Sequence, residues 1–285
     1  MTREVLTHGT GELSDASVDR VFNDAAYAAG NLAVMSTRAN RAKSAYGVDD
    51  AMAFVRQIEA EPLDQRTGQI DGLSAEHWAR IAVLASFATP MPHAKAANLP
   101  LLALPPNRLR VQNPVRSLQV MLSLQFTRAG HARRCAALAG LMPSAEPGTP
   151  STRSCTRCWR AGRRPAGRIA NAVAERHAVE DLWRDPLINQ RWQRLALRLT
   201  AIECERIGRV AADRGLAGNG VRWLTAESAT DGWALESHGY AGVQDCRPTV
   251  GRASTPIDGQ RNAFAVAGRP WGSLYEPVVT QTVIS

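Results

Sequence analysis

A mostly α-helical chain is what this sequence predicts. Three observations predict it: apolar residues recur at three- and four-residue spacing in several stretches, those stretches open on helix-capping residues, and alternating strand patterns are scarce. The 285 residues make one large domain or two modest ones, long enough to bury a core without disulfide or metal staples. Hydrophobic residues at 45% and charged residues at 21% argue against global disorder.

Residues 14 to 60 read as helices. Val18, Val21, Phe22, Ala25, Ala26, Ala29 and Leu32 follow the cap candidate Ser14, and a second helix after Asp49 and Asp50 carries Met52, Val55 and Ile58. A third begins near Ser74, with Trp78, Ile81, Leu84 and Phe87 on one face. It stops before the proline-punctuated run from Pro90 to Pro106. From residue 105 to 167 arginine, proline, serine and glycine rise, and this span reads as a basic linker of low order with two helical turns around Val115 to Ala139. The chain thus divides into a helical domain over residues 1–104, the linker 105–167, and a second helical domain over residues 168–285 with an irregular tail. In the second domain Asp185 and Pro186 form a cap and first-turn pair for one long helix. Ile188, Trp192, Leu195, Leu199 and Ile202 make an apolar seam on it, suited to a homodimer, and Gly215 closes it after Arg214. A further helix is expected over Val221 to Ser237, and a strand over Val278 to Ile284.

Charge is unevenly placed. Of 34 basic residues only Lys43 and Lys95 are lysines. Between His77 and Ala174 there are fourteen basic residues against the single Glu146, a net +13 in a chain of net +8. Two accounts of this excess stand open: an arm that neutralises phosphates, or a stretch read out of its original frame in a GC-rich gene. No apolar run is long enough to cross a bilayer, and the amino terminus has no secretory h-region. Five scattered cysteines do not form a disulfide framework, so a reducing, cytoplasmic setting is expected.

Several chemistries lose support. P-loop, dinucleotide-binding, zinc-protease and serine-elbow motifs are absent. Cys155 and Cys158 have zinc-ligand spacing, but His177 has no fourth ligand after it, and two free thiols are the expectation. His177 and Glu180 stand one residue too far apart for the His-x-Glu of zinc deaminases, so His177 reads as a helix-surface histidine. No cofactor or metal is called for.

Arg163, Arg164 and Pro165 resemble an AT-hook without its central glycine; with Arg168 they are candidates for phosphate or minor-groove contact. Arg191, Arg194 and Arg198 form a polar stripe able to grip phosphate. Val210-Ala211, then Gly215-Leu216-Ala217, then Val221 resemble the helix-turn-helix of bacterial regulators. In that family Ala211 would sit where two helices cross, and Val210, Leu216, Val221 and Leu224 would share a core. The resemblance implies a recognition helix from about Ala217, presenting Asn219, Arg222 and Trp223 to DNA. A second resemblance is to the carboxy-terminal helical domain of acyl-CoA dehydrogenases, carried by Pro186-Leu187, Leu195-Ala196, Ile202, Arg206, His238-Gly239-Tyr240 and Tyr275-Glu276. It implies FAD and Glu276 as an α-proton base. The leading expectation is a DNA-binding protein, a candidate transcriptional regulator, that performs no covalent chemistry. The alternatives are a flavoenzyme fragment and a helical interaction protein.

Overall fold

The computed structural model describes residues 2–25, 27–28, 30–62, 67–106, 108–127, 130–143, 172–217 and 233. Of these, 56% are helical, and strands are confined to two small pairs, so the chain is mostly α. No helix among the described residues is long and apolar enough to cross a membrane.

The first element differs from the expected helix. Strands β1 (Ala16–Arg20) and β2 (Leu32–Ser36) pair antiparallel, with Val18 opposite Val34. Both valines are exposed, whereas Asp19, Ala33 and Met35 are buried, so side chains alternate between water and core as a strand requires. The apolar residues from Val18 to Leu32 fit helical spacing only because the hairpin's long connection also carries apolar residues. That connection is tied by Asn31: Phe22 N–H donates to Asn31 Oδ1 at 2.8 Å, and Asn31 Nδ2 donates to Phe22 O at 2.8 Å. A side-chain amide that copies a backbone pair is a local substitute for ladder bonds.

Helices α1 (Thr37–Lys43) and α2 (Val48–Ala60) follow, then the two-residue strands β3 (Gln69–Ile70) and β4 (Leu73–Ser74) and helix α3 (Ala75–Ala88). Ser74 caps α3 as expected, its hydroxyl accepting from His77 N–H. From Trp78 to Ala88 every side chain of α3 is buried, which makes it the central helix of the core. The proline-rich run is less irregular than expected: α4 (His93–Asn98) interrupts it.

Leu99, Leu101, Leu102, Ala103 and Leu104 then run buried without helix or strand. Such a segment leaves backbone polar groups away from water, and each needs a partner. Arginines, two of them buried, supply many of them. Arg116 Nη1 donates to Leu99 O at 2.8 Å and to Pro100 O at 3.2 Å, Arg80 Nη1 donates to Leu102 O, and Arg176 Nη2 donates to Leu104 O. Some of the basic excess between residues 77 and 174 is therefore structural, since Arg80 and Arg116 lie in the interior.

Within the span 105–167, helices α5 (Pro114–Leu124) and α6 (His131–Ala139) take up much of what is described. They agree with the expected helical turns and extend them; the run from 144 to 171 lies outside the described residues. Helix α5 is buried at Val115, Leu118 and Met121, and one hydrophobic cluster runs from Val21 through α3 and α5 to Ile207 and Trp233, crossing both expected boundaries.

Helices α7 (Ala172–Leu182), α8 (Pro186–Ala196) and α9 (Ala201–Asp213) complete the described elements. Asp185 caps α8, accepting from Leu187 N–H at 2.8 Å, with Pro186 at the first position. The single long helix expected from 186 to 214 is two helices. The chain leaves α8 at Leu197, and Thr200 opens α9 with a capping box: Glu203 N–H donates to Thr200 Oγ1 at 3.2 Å, and Thr200 N–H to Glu203 Oε2 at 2.7 Å. The break separates Leu195-Ala196 from Ile202 and Arg206, which the dehydrogenase resemblance places on one helix. The seam expected to join two copies is spent inside the chain. Ile188, Trp192 and Leu199 are buried in its own core, with the Trp192 ring edge-on to Trp183 at 5.9 Å, while Ile202 is exposed.

Candidate functional site

Glu180, on α7, is the most connected buried acid of the described chain. Its carboxylate sits 2.7 Å from Arg80 Nη2, 3.2 Å from Arg176 Nε and 3.3 Å from Arg3 Nη2, and it accepts the Leu104 N–H at 2.9 Å. Helical spacing places Arg176 one turn before Glu180 on the same face. Arg80 arrives from the central helix, Leu104 from the buried extended run, and Arg3 from the amino-terminal segment. Arg3 also pairs with Asp181 at 2.8 Å and donates to the His177 carbonyl at 3.3 Å.

Burial on its own pushes the Glu180 carboxyl up. The Arg80 charge and hydrogen bond, the Leu104 amide and the Arg176 charge outweigh it and hold the group below its ordinary value. Arg176 is drawn down by the same burial against the pull of Glu180. His177 is lowered, first by burial and then by the Arg3 charge.

Beside this cluster lies an open cleft of about 300 Å³. Arg3, Arg80, Arg176, His177 and Glu180 form its polar side; Ala33, Val34, Leu84, Ala103, Leu104 and Pro106 form the rest. The cleft thus joins β2, α3, the buried run and α7. Sequence spacing did not disclose it, because Glu180 meets partners 100, 76 and 177 residues away. His177, read as a surface histidine, is half-buried and lines the cleft.

At the other end of the described chain, α9 stops at Asp213, where the sequence places a helix end before Gly215. Gly215 has φ +67°, a left-handed closing residue, and Leu216 N–H donates to Ala211 O at 2.7 Å. Ala211 and Ala217 are buried, with Val210 and Leu216 partly so. Asn219, Arg222, Trp223, Arg163, Arg164 and Arg168 all lie outside the described residues, as do Val221, Leu224, Cys155, Cys158, His238, Tyr240 and Glu276. Of the stripe Arg191, Arg194 and Arg198, the last two are exposed, and among the described residues none of the three has an ion-pair partner.

Among the described residues no group of three or more His, Cys, Asp or Glu side chains could hold a metal ion. No family model, curated protein or solved structure matches the chain.

Proposed function

We propose that this chain is a DNA-binding protein, a transcriptional regulator of the reducing cytoplasm. Residues 210 to 224 would act as a helix-turn-helix, and the arginine-rich span with Arg163, Arg164 and Arg168 as a basic arm. The observation that supports this best is the end of α9: a small buried Ala211, the left-handed Gly215 and a buried Ala217 meet the steric demands of the first helix and turn. The exposed Arg194 and Arg198 add positive charge suited to phosphate. Dimerisation through Ile188 to Ile202 is not proposed, because the core takes the apolar side chains it would need.

DNA binding of the full chain, titrated against salt with random and genomic-fragment duplexes, tests this. The expected result is a steep salt slope with a preferred fragment. Arg222→Ala should then cost about 1–3 kcal/mol on that fragment and little on random DNA, whereas Arg194→Gln should lower both alike and reduce the slope by about 1. Absence of binding at low salt, or equal loss on both duplexes for Arg222→Ala, would overturn it.

A further inference from the structure

We propose that the outer edge of β2 is a strand-addition site, and that residues 278–284 of the same chain occupy it. The proposal is independent of DNA binding.

The ladder of the hairpin shows which edge is open. Val21 N–H donates to Asn31 O at 2.7 Å and Thr37 N–H to Asp15 O at 2.7 Å, so the hydrogen-bonded pairs fall at odd positions. An antiparallel ladder alternates, and residues 16, 18 and 20 of β1 and 32, 34 and 36 of β2 therefore turn N–H and C=O away from the hairpin. On β1 these groups are served. Ala16 N–H donates to Thr7 O at 2.9 Å, Asn40 Nδ2 donates to Val18 O at 3.4 Å, and Lys43 Nζ donates to Arg20 O at 2.8 Å. On the other edge the cover ends just before β2. Gly30 O accepts from Arg110 N–H at 2.8 Å, and beyond it the outward N–H and C=O of Leu32 and Val34 have no partner among the described residues.

Nothing in β2 itself shields that edge. Leu32-Ala33-Val34-Met35-Ser36 has no charge and no proline, and it pairs with β1 residue for residue without a bulge. Charges, prolines and bulges are the devices that keep an edge from recruiting strands, and an edge without them is a template for one. Ala33 and Val34 also line the cleft, together with Leu84, Ala103 and Leu104. A strand laid on β2 would turn alternate side chains toward this apolar wall, so the site favours an uncharged segment rich in β-branched residues.

Residues 278–284, which lie outside the described residues, have such a sequence. Val278-Val279-Thr280-Gln281-Thr282-Val283-Ile284 is uncharged, free of glycine and proline, and β-branched at six of its seven positions. Either face of such a strand brings a pair of apolar side chains to the wall, Val279 with Val283 or Val278 with Ile284. Trp233 fixes where the tether starts. It is buried, with its ring 6.3 Å from that of Phe22 in the connection of the same hairpin. Residues 234–277 are enough chain to reach β2 from there, and the entropy of closure grows only slowly with length. A tethered segment also outcompetes the same segment of another molecule in dilute solution.

Hydrogen exchange of the full chain, resolved to single amides by NMR, tests the proposal. The Leu32 and Val34 amides should exchange at least about tenfold more slowly in the parent than in the double variant Thr280→Pro, Gln281→Pro. Adjacent prolines remove a donor from the added strand whichever of its faces meets β2. The Ala33 and Met35 amides, which point to β1, should exchange alike in both proteins, and the protection of Leu32 and Val34 should survive about tenfold dilution. The proposal is overturned if Leu32 and Val34 exchange equally fast in parent and variant, or if Ala33 and Met35 lose protection to the same extent. Protection that falls on dilution would also overturn it, because a second copy would then be the cover.

Discussion

Two buried acids in this molecule meet the same difficulty and resolve it in opposite directions. Asp19 on β1 has one ion-pair partner among the described residues, Lys43, whose Nζ lies 2.8 Å away and also donates to Arg20 O and Asn23 Oδ1, with the Arg20 amide and charge as weaker support. Burial wins there, and the Asp19 carboxyl is raised above its ordinary value despite the lysine. Glu180 has three guanidinium groups and a backbone amide, and its carboxyl is lowered despite burial. A single ion pair in the interior does not repay desolvation; a carboxylate enclosed by several donors does. The cations of the second centre stay charged at every accessible pH, because arginine stays protonated.

That contrast can be broken most forcefully at Glu180. Glu180→Gln leaves Arg80 charged and buried with its main partner gone, and should cost about 3–5 kcal/mol in urea unfolding at neutral pH. The acid limb should change too. Because the Glu180 carboxyl is lowered on folding, its contribution is present above the ordinary value of 4.5 and disappears as pH falls further. The variant should therefore lose stability less steeply below that value than the parent does.

Lys43→Met should cost less, about 1–3 kcal/mol at neutral pH, since Asp19 can neutralise itself. Asp19 is raised on folding, so its protonated form favours the fold below the ordinary 3.8, and that benefit fades as pH rises through the folded value. The deficit of Lys43→Met should consequently narrow when unfolding is repeated at about pH 5, whereas that of Glu180→Gln should not vanish there. A parallel pH response of the two variants would remove the distinction between the two centres.

Two smaller effects sharpen the scale. Thr200→Ala removes the hydroxyl that caps α9 and should cost about 1 kcal/mol in thermal unfolding. Arg209→Ala removes an exposed i,i+4 pair with Glu205 on the same helix and should change stability by less than about 0.5 kcal/mol.

Much of the helical frame is legible in the sequence because its signals are local. Ser74 before α3, Asp185-Pro186 before α8 and Gly215 after α9 each satisfy orphan backbone groups within a few residues, so the chain announces them. The turn between α8 and α9 is equally local, for Thr200 and Glu203 spell a capping box, but the apolar seam from Ile188 to Ile202 runs across it and conceals it. The hairpin is less legible. Its strands are five residues each, and Val18 and Val34 point to water, so apolar periodicity reports the loop as well as the strands. The Glu180 cluster is the least legible. Arg80 and Arg116 look like members of a basic surface until the buried run from Leu99 to Leu104 supplies carbonyls for them to serve.

The strap from Arg3 to α7 also has a consequence in time. On a ribosome Arg3 is made 177 residues before Glu180, so its guanidinium cannot meet that carboxylate until long after its own synthesis. Contacts that close so long a loop form late in folding, because the entropy of closure is spent before they return anything. Interactions absent from the folding transition state act on the rate of unfolding. Arg3 therefore works as a latch: cutting it should quicken the opening of the finished molecule while leaving the speed of its assembly nearly as it was.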